Sequence, residues 1–131
     1  MQIVVFRLGE EEFAVETSKV QNINHAMKVT RVPKAAPHIK GLINLRGNII
    51  SLIDVNLLLN INSDKEEQEN IIIIDIENEE IAISVDKVNE VLDIKEQDIQ
   101  KLENKEIKEY VNGIIKLGNR IITIIDLNKL I

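Results

Sequence analysis

Ser51, His38 and Asp54 have the residue types of a nucleophilic triad, which makes them the first place to look for catalysis in this 131-residue chain. Ser51 sits inside the run Ile49-Ile50-Ser51-Leu52-Ile53, without the sharp glycine-flanked elbow that exposes such a nucleophile. Nothing in the spacing brings His38 or Asp54 to it, and Thr123 holds the corresponding place in a second copy of the pattern, so a structural hydroxyl is expected. Metal ligation fares no better. The only histidines, His25 and His38, stand beside turn-like sequence without paired ligands, and the absence of cysteine excludes thiolate sites and disulfides. Glu10 to Glu12 and Glu77 to Glu80 fall in matching polar turns, where solvated tips explain them better than a general acid–base pair. No glycine-rich phosphate loop is present. The residues predict no catalytic site, cofactor or metal, and hence no enzyme.

The elements that would position any site are organised around Ile39 to Asp54, IKGLINLRGNIISLID. Apolar runs flank Arg46-Gly47-Asn48, and Gly47-Asn48 are the expected source of the positive φ angles of a tight hairpin turn. The pattern recurs as NGIIKLGNRIITIID from Asn112 to Asp126, with Gly41 matching Gly113 and Asp54 matching Asp126, each 72 residues on. Earlier blocks repeat at a spacing of 68: Phe13-Ala14-Val15 matches Ile81-Ala82-Ile83, Lys19-Val20 matches Lys87-Val88, and Ile23 matches Val91. The difference places extra residues in Asp93 to Glu109, read as loop with one turn. Residues common to both copies should serve the fold. Gly41, Gly113 and Gly118 read as backbone necessities, and Asp54 and Asp126 as caps of the turns that follow them.

In chain order, Gln2 to Leu8 and Phe13 to Val15 read as strands separated by a polar turn. Thr17 or Ser18 is expected to cap a helical turn through Ile23. Met27 to Val32 reads as extended, Ala35 to Lys40 as one turn of helix, and Asn60 to Asn70 as a polar linker. Each half then offers about five short strands, at the turn spacing typical of small barrels. The chain is 44% hydrophobic but only 2% aromatic, and its isoleucine bias favours pleated strands. Strands such as Ile71 to Ile74 are apolar on both faces, so each should be covered on both. The expectation is an all-β, single domain over residues 1–131, with one barrel from about 2–60, a linker over 60–70 and a second barrel from about 70–131, terminal strands being free to cross between them. Two such small barrels should share a core.

The net charge of −6 and the low aromatic content argue against nucleic-acid backbone as a partner. No uncharged run approaches the roughly 18 residues of a membrane span, and Met1-Gln2-Ile3 opens directly into strand-like sequence without a basic leader. A soluble cytoplasmic domain is expected. Arg46 stands apart from the repeat because its aligned residue is Gly118, while Arg120 of the second copy follows its turn instead. A planar multi-donor side chain that the hairpin does not need is a candidate for a protein interface.

The run IKGLINLRGNIISLIDV resembles the signature segment of CheW-like proteins, the coupling adaptors of bacterial chemotaxis. VFRLGEEEFAVETSKVQNI and GIIKLGNRIITIIDLNKL are similar to that family's opening and closing blocks. The resemblance implies two packed five-stranded SH3-like barrels with a pseudo-twofold repeat, and an adaptor role without catalysis. It also implies two partners: the regulatory domain of the histidine kinase CheA and the cytoplasmic tip of chemoreceptors, at membrane-associated arrays. The alternatives are a CheW-like module of a pilus-linked or inhibitory pathway and, from another class, a small-molecule-binding β-barrel. The partner-binding residues it implies are Arg46 with Ile43, Leu45 and Gly47 around it, and Val20, Asn22 and Ile23 on the short segment associated with partner contact. Three departures are legible. Asn22 stands where the family often carries an acid able to pair with the arginine, the 93–109 stretch is compressed and lacks proline, and the sequence stops at Ile131 before the C-terminal helix of many relatives.

Overall fold

Runs of isoleucine and valine alternate their side chains across a pleated backbone, so every strand whose two faces are both apolar needs a layer above and a layer below. The chain meets that need with two sheets packed face to face. The structure is a computed structural model that describes residues 1–62, 68–102 and 108–131. Its strands are β1 (Gln2–Leu8), β2 (Glu11–Glu16), β3 (Val20–His25), β4 (Ile39–Leu45), β5 (Asn48–Ile53), β6 (Asn70–Ile76), β7 (Glu79–Val85), β8 (Lys87–Asp93), β9 (Val111–Leu117) and β10 (Arg120–Ile125). Two short helices, α1 (Val55–Leu59) and α2 (Leu127–Leu130), each follow the second hairpin of a half.

Sheet I is ordered β8-β1-β2-β10-β9 and sheet II β3-β6-β7-β5-β4. The two orders are related by advancing each strand five places, which is the internal repeat seen in three dimensions. The expected division into barrels at 2–60 and 70–131 is corrected by this order, because neither sheet comes from one half. The opening hairpins are exchanged: β1–β2 joins the late strands through a parallel pairing of β2 with β10, and β6–β7 joins the early ones through β7 with β5. The physical cause is the short route from β2 into β3. A single 3-10 turn at Thr17–Lys19 is all that separates them, and β3 leaves directly for the other sheet.

Three clusters make the core. Ile3, Val5, Ala14, Ile122 and Ile124 fill the concave face of sheet I, and Ile43, Ile50, Leu52, Ile71 and Ile73 fill that of sheet II. The outward faces meet in a third cluster containing Val4, Phe6, Val15, Ile53, Ile72 and Ile83, into which Val55 of α1 and Leu127 of α2 also insert. All of Ile71 to Ile74 are buried, as two-sided strands require.

Local differences from the expected elements have local causes. Residues 20–25 are strand, not the continuation of a helical turn, because Val20, Asn22 and Ile23 pair with Ile74, Ile73 and Ile72 of β6. Neither Thr17 nor Ser18 caps that turn: Thr17 Oγ1 donates to the Gln2 carbonyl instead, and Glu16 holds the cap position. The 35–40 stretch forms turns leading into β4, and the extended 27–32 stretch makes one bridge, Thr30 to Leu42. That bridge explains Gly41. A Cβ there would lie 2.5 Å from the Thr30 carbonyl oxygen, and one on Gly113 would lie 2.5 Å from Ile99 Cγ2 beside the matching Gln100–Ile114 bridge. Both glycines permit a crossing segment to touch the strand. The linker expected over 60–70 falls partly outside the described residues, as does the loop expected over 93–109. Its described end, Gln68, is buried.

Candidate functional site

The β4–β5 hairpin closes with Leu45 opposite Asn48, so its two loop residues are Arg46 and Gly47. Their φ angles are +53° and +88°, the left-handed pair of a tight hairpin turn. The turn was expected one residue later, on Gly47-Asn48. The difference matters, because Arg46 occupies the position that Gly118 (φ +60°) holds in the β9–β10 hairpin. A residue with a Cβ costs on the order of 1 kcal/mol in this conformation. Asn44 offsets part of that cost by accepting a 2.9 Å hydrogen bond from the Gly47 amide. The Arg46 side chain is exposed and makes no hydrogen bond or ion pair among the described residues.

The other expected partner-binding residues divide by face. Val20 and Ile23 of β3 share the outward face of sheet II, Val20 half-buried against the shared core and Ile23 41% exposed at the sheet edge. Asn22 lies between them in sequence, is exposed, and pairs across to Ile73 of the concave face. It makes no hydrogen bond with Arg46. Ile43 is corrected: it is 1% exposed, inside the concave core of sheet II, where its side chain is out of a partner's reach. Leu45 packs half-buried against the same core. Ile49, which the sequence reading passed over, is 63% exposed on the outward face beside the Arg46 turn.

The capping aspartates behave alike. Asp54 accepts from the Leu57 amide at the start of α1 (3.2 Å), and Asp126 from the Asn128 amide at the start of α2 (2.9 Å).

An arginine–acid pairing of the kind considered for Arg46 does exist, but in the other barrel. Arg120, first residue of β10, donates from Nε (3.0 Å) and Nη2 (2.8 Å) to the two Glu12 oxygens, and Nη2 also donates to Glu90. Asn89 Nδ2 adds a 3.1 Å bond to Glu12. The two-pronged bond from Arg120, above all, holds the Glu12 carboxyl below its ordinary range, and the two carboxylates push the Arg120 guanidinium further up. The repeat could have revealed the cluster: Glu90 aligns with Asn22 and Arg120 with Asn48. Among the described residues no group of three or more His, Asp or Glu side chains is placed to hold a metal ion. Among the described residues no helix is long and apolar enough to cross a membrane.

Paired five-stranded SH3-like barrels, interlocked by exchanged hairpins, define the class of protein. The family is equally plain: residues 2–131 match the model of the CheW-like domain, and the chain belongs to that family. It is 32% identical to the chemotaxis protein CheW of Bacillus subtilis over 99% of this chain and 86% of that protein. It is 29% identical to the CheW of Thermotoga maritima over 99% and 87% respectively. Among solved structures, it is similar to the scaffolding protein TtCheW from Thermoanaerobacter tengcongensis, with a TM-score of 0.87, 32% identity, and coverage of 98% of this chain and 86% of that one.

Proposed function

We propose that this chain is a non-enzymatic chemotaxis adaptor that couples the cytoplasmic tips of chemoreceptors to the histidine kinase CheA, working at membrane-associated receptor arrays. The observation that carries the reading is Arg46. It is held at a turn tip in a conformation its repeat partner gives to glycine, with no hydrogen bond or ion pair among the described residues to account for it. Backbone strain kept at an exposed, unbonded arginine fits a contact made to another protein, where arginine is enriched at energetic centres. Ile23 and Ile49 supply exposed aliphatic surface on the same sheet, and Val20 extends it toward the shared core. Family membership supports the role as a whole.

The test uses Arg46→Gly, the residue of the second hairpin, in pull-downs with the organism's CheA regulatory domain and receptor tips. Binding to at least one partner should weaken about tenfold, the effect of losing ~1.4 kcal/mol at an interface centre, while the fold is kept. Unchanged capture of both partners by the variant would remove Arg46 from the interface and leave the coupling role without its structural support.

A further inference from the structure

The repeat makes two copies of a slot beside each short helix, and only one of them is filled. Next to α1, the buried Gln68 side chain enters between α1 and β4. Its Nε2 donates to Asn56 Oδ1 at 2.8 Å and to Asp86 Oδ1 at 3.2 Å, and its Oε1 accepts from Lys40 Nζ at 3.4 Å. Asn56 is only 2% exposed. Next to α2 the same place is a cavity of about 100 Å³. Its floor includes Val15, Ile74 and Ile125, and its rim carries Glu16, Lys19 and Asp126 beside Asn112 and Asn128. By the repeat spacings, Asn128 is the counterpart of Asn56, Asn112 of Lys40, and Ile125 of Ile53. Asn128 and Asn112 are exposed, and no described residue enters between them.

We propose that the α2 slot binds a side-chain carboxamide, a glutamine or asparagine presented by a partner protein. The occupied copy serves as the template. An amide N–H₂ finds the Asn128 carbonyl oxygen as Gln68 finds that of Asn56, and the amide oxygen faces Asn112, which donates where Lys40 donates. The methylene stem lies on the aliphatic floor, whose residues are buried. A carboxylate of the same shape cannot donate to Asn128 Oδ1 and meets the Glu16 and Asp126 carboxylates on the rim, and an aliphatic chain gains no hydrogen bond from either rim amide, so the slot favours a neutral carboxamide. This inference rests on the internal repeat and stands apart from the coupling role of Arg46.

The test is a titration of the full chain with propionamide, the glutamine side chain in isolation, followed by the side-chain amide resonance of Asn112. A saturable shift in the millimolar range is expected for a ligand of this size. Propionate should give none, and Asn128→Leu should weaken the midpoint about fivefold for one lost hydrogen bond. Gln68→Ala, which empties the template slot, provides the control, since propionamide should then also perturb Asn56. A slot that ignores propionamide, or that responds equally to propionate or in Asn128→Leu, overturns the proposal. A response at Asn56 in Gln68→Ala without one at Asn112 does so as well.

Discussion

The two barrels share a backbone plan and differ at the end where the second hairpin turns. In the barrel of sheet I, Arg120 is clamped by Glu12 and Glu90, with Asn89 steadying Glu12, and the turn before it is Gly118-Asn119. In the barrel of sheet II, the positions of Arg120 and Glu90 are held by Asn48 and Asn22, and the turn carries an exposed arginine on a backbone suited to glycine. One end has satisfied its charges internally and serves the fold. The other has moved its guanidinium two residues back, off the strand and onto the turn, where it can meet another molecule. The difference teaches that subtracting one copy of a duplicated fold from the other isolates the residues the fold does not require.

The largest expected effect concerns what the copies share. Gly41→Ala and Gly113→Ala each push a methyl group against a crossing segment and should cost ~1–3 kcal/mol by urea denaturation. A loss at only one of them would break the equivalence of the barrels. Next comes Arg120→Ala, which opens the clamp and should cost on the order of 1 kcal/mol near neutral pH, since the cluster is partly solvated. Because the Glu12 carboxyl is lowered in the folded state, its contribution is present above its ordinary value of 4.5 and fades as pH falls through the lower folded value. Denaturation curves of wild type and Arg120→Ala should therefore converge in acid. Arg46→Gly should have the opposite sign, raising stability by ~0.5–1 kcal/mol through relief of the left-handed turn while binding falls. The smallest effect is the most discriminating. Asn22→Glu with Asn48→Arg rebuilds the clamp in the open barrel, and a double-mutant cycle should show ~0.5 kcal/mol of coupling between them.

Much of this comparison was legible in the residues. The offsets of 68 and 72 located eight of the ten strands, since period-2 apolar runs and polar turns recur together, whereas β3 was read as a helical turn and its copy β8 went with it. They also separated Arg46 from Gly118. The exchange of hairpins was not legible, because a parallel pairing such as β2 with β10 spans over a hundred residues and leaves no local pattern. The turn at Arg46-Gly47 was misplaced by one residue because arginine is a poor choice for φ > 0, which is the reason it is informative. Ile43 was grouped with the interface by proximity in sequence, yet strand alternation turns it into the core. Gln68 looked like linker because its neighbours are charged, and only the packing shows its carboxamide buried.

The exchanged hairpins have an evolutionary consequence. A single ancestral half would end with β1–β2 reaching away from its own remaining strands, the edge of β2 seeking a β5 it could not reach within one chain. Its natural state would have been an intertwined homodimer, each subunit lending a hairpin to the other. Joined end to end, such a dimer would carry every strand pairing seen in this polypeptide. Within one polypeptide the halves need not be identical, and one turn can carry arginine where the other carries glycine.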